Sequence, residues 1–132
     1  MDPLVIAELH KSYGKTLAVN GVSFQVKAGE IFGLIGPDGS GKTTMLRMIV
    51  SLLRPDSGSI LFQGKDVQDN MYFVRSNIGY MPQRFSLYPD LSVEQNLHFF
   101  GDLFGVATAA QEKRIELLYE FSKLKPFAQR LT

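Results

Sequence analysis

The chain contains no cysteine. That removes disulfides and thiolate metal sites from consideration and is compatible with a reducing cytoplasm. Charge of one sign is not in excess either: 14 Lys and Arg against 13 Asp and Glu leave a net +1. Without a polybasic field, no nucleic-acid partner and no anionic membrane surface is expected. No apolar run approaches the roughly 18 residues of a membrane-spanning helix, and the N-terminus carries no signal-peptide pattern. Internal repeats and low-complexity segments are missing as well. What is present is ordinary for a globular domain: 132 residues, 45% hydrophobic and 20% charged. That is enough to bury one core and reads as a single domain or part of one.

One stretch stands out against this background. Gly36-Pro37-Asp38-Gly39-Ser40-Gly41-Lys42-Thr43-Thr44 satisfies the pattern G-x-x-x-x-G-K-[ST]. Ahead of it, residues 30–35 form a nearly continuous apolar run, which predicts a strand buried on both faces. Behind it, residues 43–53 show helical spacing. A strand, a glycine loop and a helix in that order make a phosphate-binding device. The glycines let the backbone turn tightly and approach phosphate where a Cβ would collide. Loop N–H groups then form an anion nest beside the positive end of the helix dipole. Lys42 would reach the β- and γ-phosphates, and the Thr43 hydroxyl would ligand Mg²⁺. An ordinary Gly/Ser turn before a helix would not require the Lys-Thr pair.

Taken in order, residues 4–9 read as a first strand and 11–16 as a turn, with 17–19 starting a second strand. Val22, Phe24 and Val26 alternate with Ser23 and Gln25, the period of a half-buried strand. The opening therefore predicts a small antiparallel sheet ahead of a parallel core. In the helix after the loop, Leu46, Ile49, Val50 and Leu53 form a stripe that Met45, Met48 and Leu52 widen, so burial of most of that helix is expected. Pro55 ends it. Residues 59–63 predict a strand, 69–76 a short helix and 77–81 a further core strand. The remainder is helical. Ser92 with Gln95, and Thr108 with Gln111, have capping-box spacing. Val93, Leu97, Phe100 and Phe104 mark one apolar face. Ala110, Leu117, Leu118, Phe121 and Leu124 mark another, with Gly105 between the helices.

With Met81-Pro82-Gln83 in view, the chain resembles the nucleotide-binding subunit of an ATP-binding cassette (ABC) transporter, over nearly its whole length. An aromatic residue, Tyr13, lies in a turn ahead of the phosphate loop, and Gln83 follows a core strand. Residues 85–97 then look like the family's Q-loop and the start of its helical subdomain. The turn Leu53-Arg54-Pro55-Asp56-Ser57-Gly58-Ser59-Ile60 is similar too, and the nearest flavour is that of drug-exporter or ABC-2-type ATPase subunits. The resemblance implies an α/β fold of P-loop NTPase type: an antiparallel β subdomain plus a partial parallel core sheet with helices, followed by a helical subdomain. It divides residues 1–132 into a β subdomain and ATP-binding core (1–82) and a Q-loop with the start of the helical subdomain (83–132).

The resemblance also implies roles. Gly36 to Thr44 would bind ATP, the backbone amides of Gly39 to Thr44 cradling its phosphates. Tyr13 would stack on adenine, against the plainer reading of a turn aromatic capping the sheet. Thr43 and Gln83 would contact Mg²⁺, and Gln83 would report nucleotide state to a membrane partner. Phe85, Tyr88, Phe99 and Phe100 would either line a groove for a transmembrane helix or form an ordinary subdomain core. His10 and His98 are better read as structural and solvated residues, and Met45 and Met48 as core filling. Asp38 departs from the family, which commonly has a neutral residue there, so its carboxylate is expected to face away from the loop.

A larger departure is absence. The Leu-Ser-Gly-Gly-Gln signature, the apolar strand ending in Asp with its neighbouring catalytic Glu, and the switch His do not occur. The expectation is therefore the N-terminal part of a longer ATPase subunit, with weak stability and an open apolar sheet edge. It would bind ATP without efficient hydrolysis and hold no catalytic residue of its own. Its partners would be a transmembrane permease subunit and a second ATPase subunit, and its place the cytoplasmic, inner face of the cell membrane. The alternatives are a P-loop kinase or GTPase, or a non-catalytic nucleotide-binding regulatory module.

Overall fold

In the computed structural model, which describes residues 2–84 and 86–132, the chain divides into two units, Met1–Met81 and Pro82–Thr132. The first is built on strand β1 (Leu4–Tyr13). It pairs antiparallel with β2 (Thr16–Val26) on one edge and β3 (Ser57–Phe62) on the other. With β4 (Lys65–Asp66) the sheet order is β2-β1-β3-β4. β1 runs further than expected, which places Tyr13 at a strand end. Residues 17–19 and 22–26 join into one strand, because Gly21 carries the chain through the break at φ +60 and its N–H donates to His10 Nδ1 at 3.2 Å.

Ile6 and Leu9 are three residues apart, a spacing that puts side chains on opposite faces of a regular strand. Both are nonetheless buried, at 2% and 0% exposure. A bulge resets the alternation between them: Glu8 sits at φ +46, and the register with both neighbouring strands shifts there. Val19 and Ile60 share the same core. Helix α1 (Lys42–Ile49) contributes Met45, Met48 and Ile49, and α2 (Met71–Asn77) contributes Val74. Full burial of each such side chain is worth about 1.5–3 kcal/mol.

A parallel core sheet is not formed among the described residues. Residues 30–35 and 77–81 carry no strand, and Ile31, Ile35 and Met81 are 99%, 95% and 92% exposed. A parallel strand needs hydrogen-bonded neighbours and cover on both faces. Residues 30–35 pair with none of the described strands, so the apolar run lies open. Within it only Phe32, stacked on Phe24 at 4.7 Å, and Leu34, packed at the core margin, find partners. The α1 helix is also shorter than its apolar stripe. It stops at Ile49, Leu46 and Leu52 are exposed, and the buried face is centred on Met45 and Met48.

The second unit contains α3 (Val93–Leu103), α4 (Thr108–Ser122) and a 3₁₀ turn (Lys125–Phe127). The first capping box forms in full: Gln95 N–H donates to Ser92 Oγ at 3.2 Å, and Ser92 N–H donates to Gln95 Oε1 at 2.8 Å. The second does not. Ala107 caps α4 without a side-chain bond, and Gln111 turns toward α3 instead. Its Nε2 donates to Asp102 Oδ1 at 2.7 Å and Val106 O at 2.8 Å. Gly101 makes room for it, since a Cβ there would lie 2.6 Å from the Gln111 side chain. His98 is held in the same group, its Nδ1 3.3 Å from Gln111 Oε1. It is therefore less solvated than its neighbours Glu94 and Asp102 suggest.

Gln111, Ile115 and Tyr119 form the buried face of α4, whereas Leu117 and Phe121 of the expected stripe are exposed. Between the helices lies an apolar pocket of about 280 Å³, lined by Leu87, Leu97, Phe100, Leu118 and Leu124 among others. Tyr88, Phe99 and Phe100 pack edge to face or tilted, with ring centroids 4.8–6.2 Å apart. Phe85, expected in this cluster, lies outside the described residues.

Candidate phosphate-binding site

Gly41 is where the loop meets the sheet. Its φ is +89, and a Cβ at this position would stand 2.1 Å from the Ala18 carbonyl oxygen of β2. Backbone sign and backbone proximity both restrict the position to glycine. Gly39 also has a positive φ, +77, but faces open space. The loop is thus clamped to β2 at one end and free at its tip.

Gly41 is also the N-cap of α1, and it brings no side chain to the task. No cap bond is made, and no acidic residue occupies the first turn. The first N–H groups of a helix have no acceptor within it. Here Met45 N–H is the first to find one, at 2.9 Å on Gly41 O. The amides of Lys42, Thr43 and Thr44 leave the helix on the loop side, where the dipole is positive.

Lys42 completes the arrangement from the same turn. Its ammonium donates to the carbonyl oxygens of Gly36 and Pro37, each at 2.7 Å, and lies 3.4 Å from Ser40 Oγ. The loop is thereby wrapped around its own cation. Ser40 N–H closes a turn on Pro37 O at 3.3 Å, and Thr43 and Thr44 are half-buried beside it. Asp38 is exposed, consistent with a carboxylate turned out of the loop. The uncapped N-terminus of α1 and the Lys42 ammonium thus lie on the same loop, a combination of donors and positive charge suited to an anion.

Tyr13 stands near this attachment point. It is 48% exposed and pairs with Thr16 of β2. Ala18, which meets Gly41, is two residues further along that strand, or about 7 Å. The strand end is braced by Asp56: Lys11 Nζ donates to its Oδ1 at 2.6 Å and Ser12 N–H to its Oδ2 at 2.7 Å. Those two bonds, the lysine's first, hold the Asp56 carboxyl below its ordinary pKa. Gln83 belongs to the second unit, exposed on the stretch before α3.

The residues that sequence patterns did not single out are an exposed arginine that bonds a buried serine, and a buried asparagine. Arg75 of α2 reaches the end of α1, with Nε donating to Ser51 Oγ at 3.0 Å and Nη2 to Ser51 O at 2.8 Å. Asn96 of α3 is 2% exposed and ties the incoming chain at Tyr88, Leu91 and Ser92 to the helix. Neither breaks a periodicity or completes a motif.

Comparison with known proteins places these features in a family. A family model described as ABC transporter matches residues 19–132. The chain is 45% identical over 125 residues to the probable multidrug ABC transporter ATP-binding protein YbhF of Escherichia coli (strain K12), covering 95% of this chain and 22% of that protein. It is 42% identical over 123 residues to the Nod factor export ATP-binding protein I of Burkholderia lata, covering 93% of this chain and 40% of the relative. The chain thus spans well under half the length of these curated relatives. Among solved structures, an ATP binding subunit of an ABC transporter superposes with a TM-score of 0.83 at 28% identity, over 97% of this chain and 53% of that one. The cbiO1 protein of Clostridium perfringens, part of the ABC transporter complex cbiONQ, gives a TM-score of 0.80 at 25% identity and is covered over 54% of its length.

Proposed function

The chain belongs to the ABC transporter family, and on that premise we propose that its loop holds the triphosphate of ATP in a subunit that powers transport across a membrane. The observation that carries this reading is the clamped loop itself. Gly41 fits against Ala18 O where no side chain could, α1 begins without a cap, and Lys42 lies within the turn. The uncapped helix leaves the amides of Lys42, Thr43 and Thr44 without an acceptor in the helix, and the Lys42 ammonium is held beside them by the loop carbonyls of Gly36 and Pro37. A bound polyphosphate supplies those acceptors.

In this reading the amides of Gly39 to Thr44 bind phosphate oxygens, and Gly36, Pro37 and Asp38 shape the approach. Lys42 exchanges its carbonyl partners for the β- and γ-phosphates, and Tyr13 stacks on adenine. The residues assigned to Mg²⁺ are Thr43, half-buried in the first turn of α1, and Gln83. When bound, the ion supplies charge neutralisation at the phosphates. The residues of this chain bind and orient; the general base for water attack is assigned to none of them, so binding without efficient turnover is expected.

The whole protein is proposed to act with a transmembrane permease subunit and a second ATPase subunit, peripherally on the cytoplasmic face of the membrane. In support, no helix among the described residues is long and apolar enough to cross a bilayer, and the relatives carry transporter ATP-binding names. A P-loop kinase or GTPase is not favoured by these relatives. The deciding experiment is titration of the chain with Mg-ATP, alongside Lys42→Ala. Loss of the charge-assisted bonds should weaken binding about 100-fold. Equal affinity in the two proteins would instead identify a module that no longer uses its loop.

A further inference from the structure

We infer that Arg75 is a positioning residue for the phosphate loop, acting through the far end of α1; this rests on the ATP-binding reading above. The α1 helix has eight residues, a length of about 12 Å, and is too short to bend appreciably between its ends. Its start is located by the Gly41 contact with Ala18 O. Its end is located by Arg75. One guanidinium edge donates twice to Ser51, through Nε to Oγ at 3.0 Å and through Nη2 to the carbonyl oxygen at 2.8 Å.

Ser51 is an unusual residue to hold in this way. It is 5% exposed and sits at φ +58, a conformation that serine adopts at a cost. Around it the helix unwinds: Ser51 N–H bonds to Met48 O at 3.1 Å, while Leu52 and Leu53 N–H both turn back to Arg47 O at 2.8 and 3.1 Å. The Ser51 carbonyl is thereby turned out of the helix, and the Arg75 fork takes it. A two-point guanidinium bond fixes direction as well as distance, and the cation faces the negative end of the helix dipole. Val74, the neighbour of Arg75 on α2, is fully buried in the core with Met48, so the arm that holds α1 is anchored itself.

A helix fixed at both ends has one axial position and one rotation. Those two quantities decide where the amides of Lys42, Thr43 and Thr44 and the Lys42 ammonium point. With Arg75 removed, α1 keeps its core face but gains freedom to slide and turn, and the donors no longer converge as well on one triphosphate. The chemistry argues for arginine in particular, because lysine can reach one Ser51 oxygen but cannot bridge two.

The test is Mg-ATP affinity of the full chain as wild type, Arg75→Ala, Arg75→Lys and Ser51→Gly. Far-ultraviolet circular dichroism and hydrogen exchange are recorded on each. Arg75→Ala should bind about tenfold more weakly, with unchanged circular dichroism and faster exchange confined to residues 42–53. Arg75→Lys should recover part of the loss. Ser51→Gly keeps the carbonyl and the left-handed turn while losing Oγ, and should cost about threefold. Wild-type affinity in Arg75→Ala would overturn the inference while leaving the ATP site standing. Where Arg75→Ala does not fold, wild-type affinity in both milder variants would overturn it equally. A wild-type chain that does not bind Mg-ATP would overturn the site and this inference together.

Discussion

Two helices of this chain begin in opposite ways. At the start of α3, Ser92 and Gln95 cap each other's backbone, Glu94 sits in the first turn, and the N–H groups of Val93 and Glu94 donate to the carbonyls of Arg130 and Ala128. At the start of α1, the cap is a glycine, no side chain helps and no acid is present. The first terminus is closed and the second is open. Helix propensity does not explain the difference, because a glycine cap is the less stable of the two, by roughly a few tenths of a kcal/mol. What the open terminus gains is a set of donors left free for a ligand, held in place by backbone contacts instead of by a cap. In the reading proposed above, the α3 terminus serves the fold and the α1 terminus serves a ligand.

The sharpest way to break this comparison is Gly41→Ala. It removes no hydrogen bond, yet it places a methyl group 2.1 Å from Ala18 O at a residue with φ +89. Backbone strain and steric displacement together should destabilise the first unit by at least about 3 kcal/mol. Urea denaturation followed by circular dichroism measures this. A loss below about 1 kcal/mol would mean that the loop is not clamped to β2 as described.

On the closed side, Asn96→Ala should have the next largest effect. Asn96 accepts from Tyr88 N–H at 2.9 Å and donates to the carbonyls of Tyr88, Leu91 and Ser92 at 3.0–3.2 Å. Truncation strands several of these partners in a buried setting, at about 2–4 kcal/mol. Amide exchange at Tyr88 and along the first turn of α3 should accelerate accordingly. Unchanged protection there would show that Ser92 closes the terminus without Asn96.

These contrasts separate what the sequence discloses from what it does not. The loop, the Ser92–Gln95 box and the stop at Gly105 were legible because each depends on residues close together in the chain. Gly41 announces its own φ, and a serine three residues before a glutamine announces a cap. The same rule misled at Thr108 and Gln111, where a tertiary bond to Asp102 outcompetes the local one. Residues 30–35 and 77–81 have strand-like patterns, but a pattern states only what a segment could bury, and neither pairs with a strand among the described residues. Asn96 and Arg75 were invisible for the converse reason. A polar side chain acting on backbone that distant or irregular packing brings within reach leaves no periodic mark.

The comparison can be sharpened by closing the open terminus. Thr44 is the third residue of α1, the position that Gln95 holds in α3. A Thr44→Glu substitution places a carboxylate at the positive end of the dipole, which should stabilise the helix by about 0.5 kcal/mol. The same carboxylate repels and replaces phosphate, so Mg-ATP affinity should fall at least about tenfold. The two effects have opposite signs. A chain that became more stable and bound Mg-ATP undiminished would contradict an anion site at this terminus.

The smallest effect is expected at Ser92→Ala. The substitution removes one of the two reciprocal cap bonds, which should cost about 1 kcal/mol. Gln95→Ala removes the other. Because each bond orders the partner's side chain, the double variant should lose less than the sum of the single ones, by roughly 0.5 kcal/mol. The cycle can be followed by thermal denaturation together with amide exchange in α3. Simple additivity would mean that the two bonds form independently and that the box is only a coincidence of spacing. A Ser92→Ala loss as large as that of Gly41→Ala would go further. It would mean that side-chain capping and backbone clamping are equally demanding in this chain, and the open α1 terminus would then need an explanation other than the ligand proposed for it.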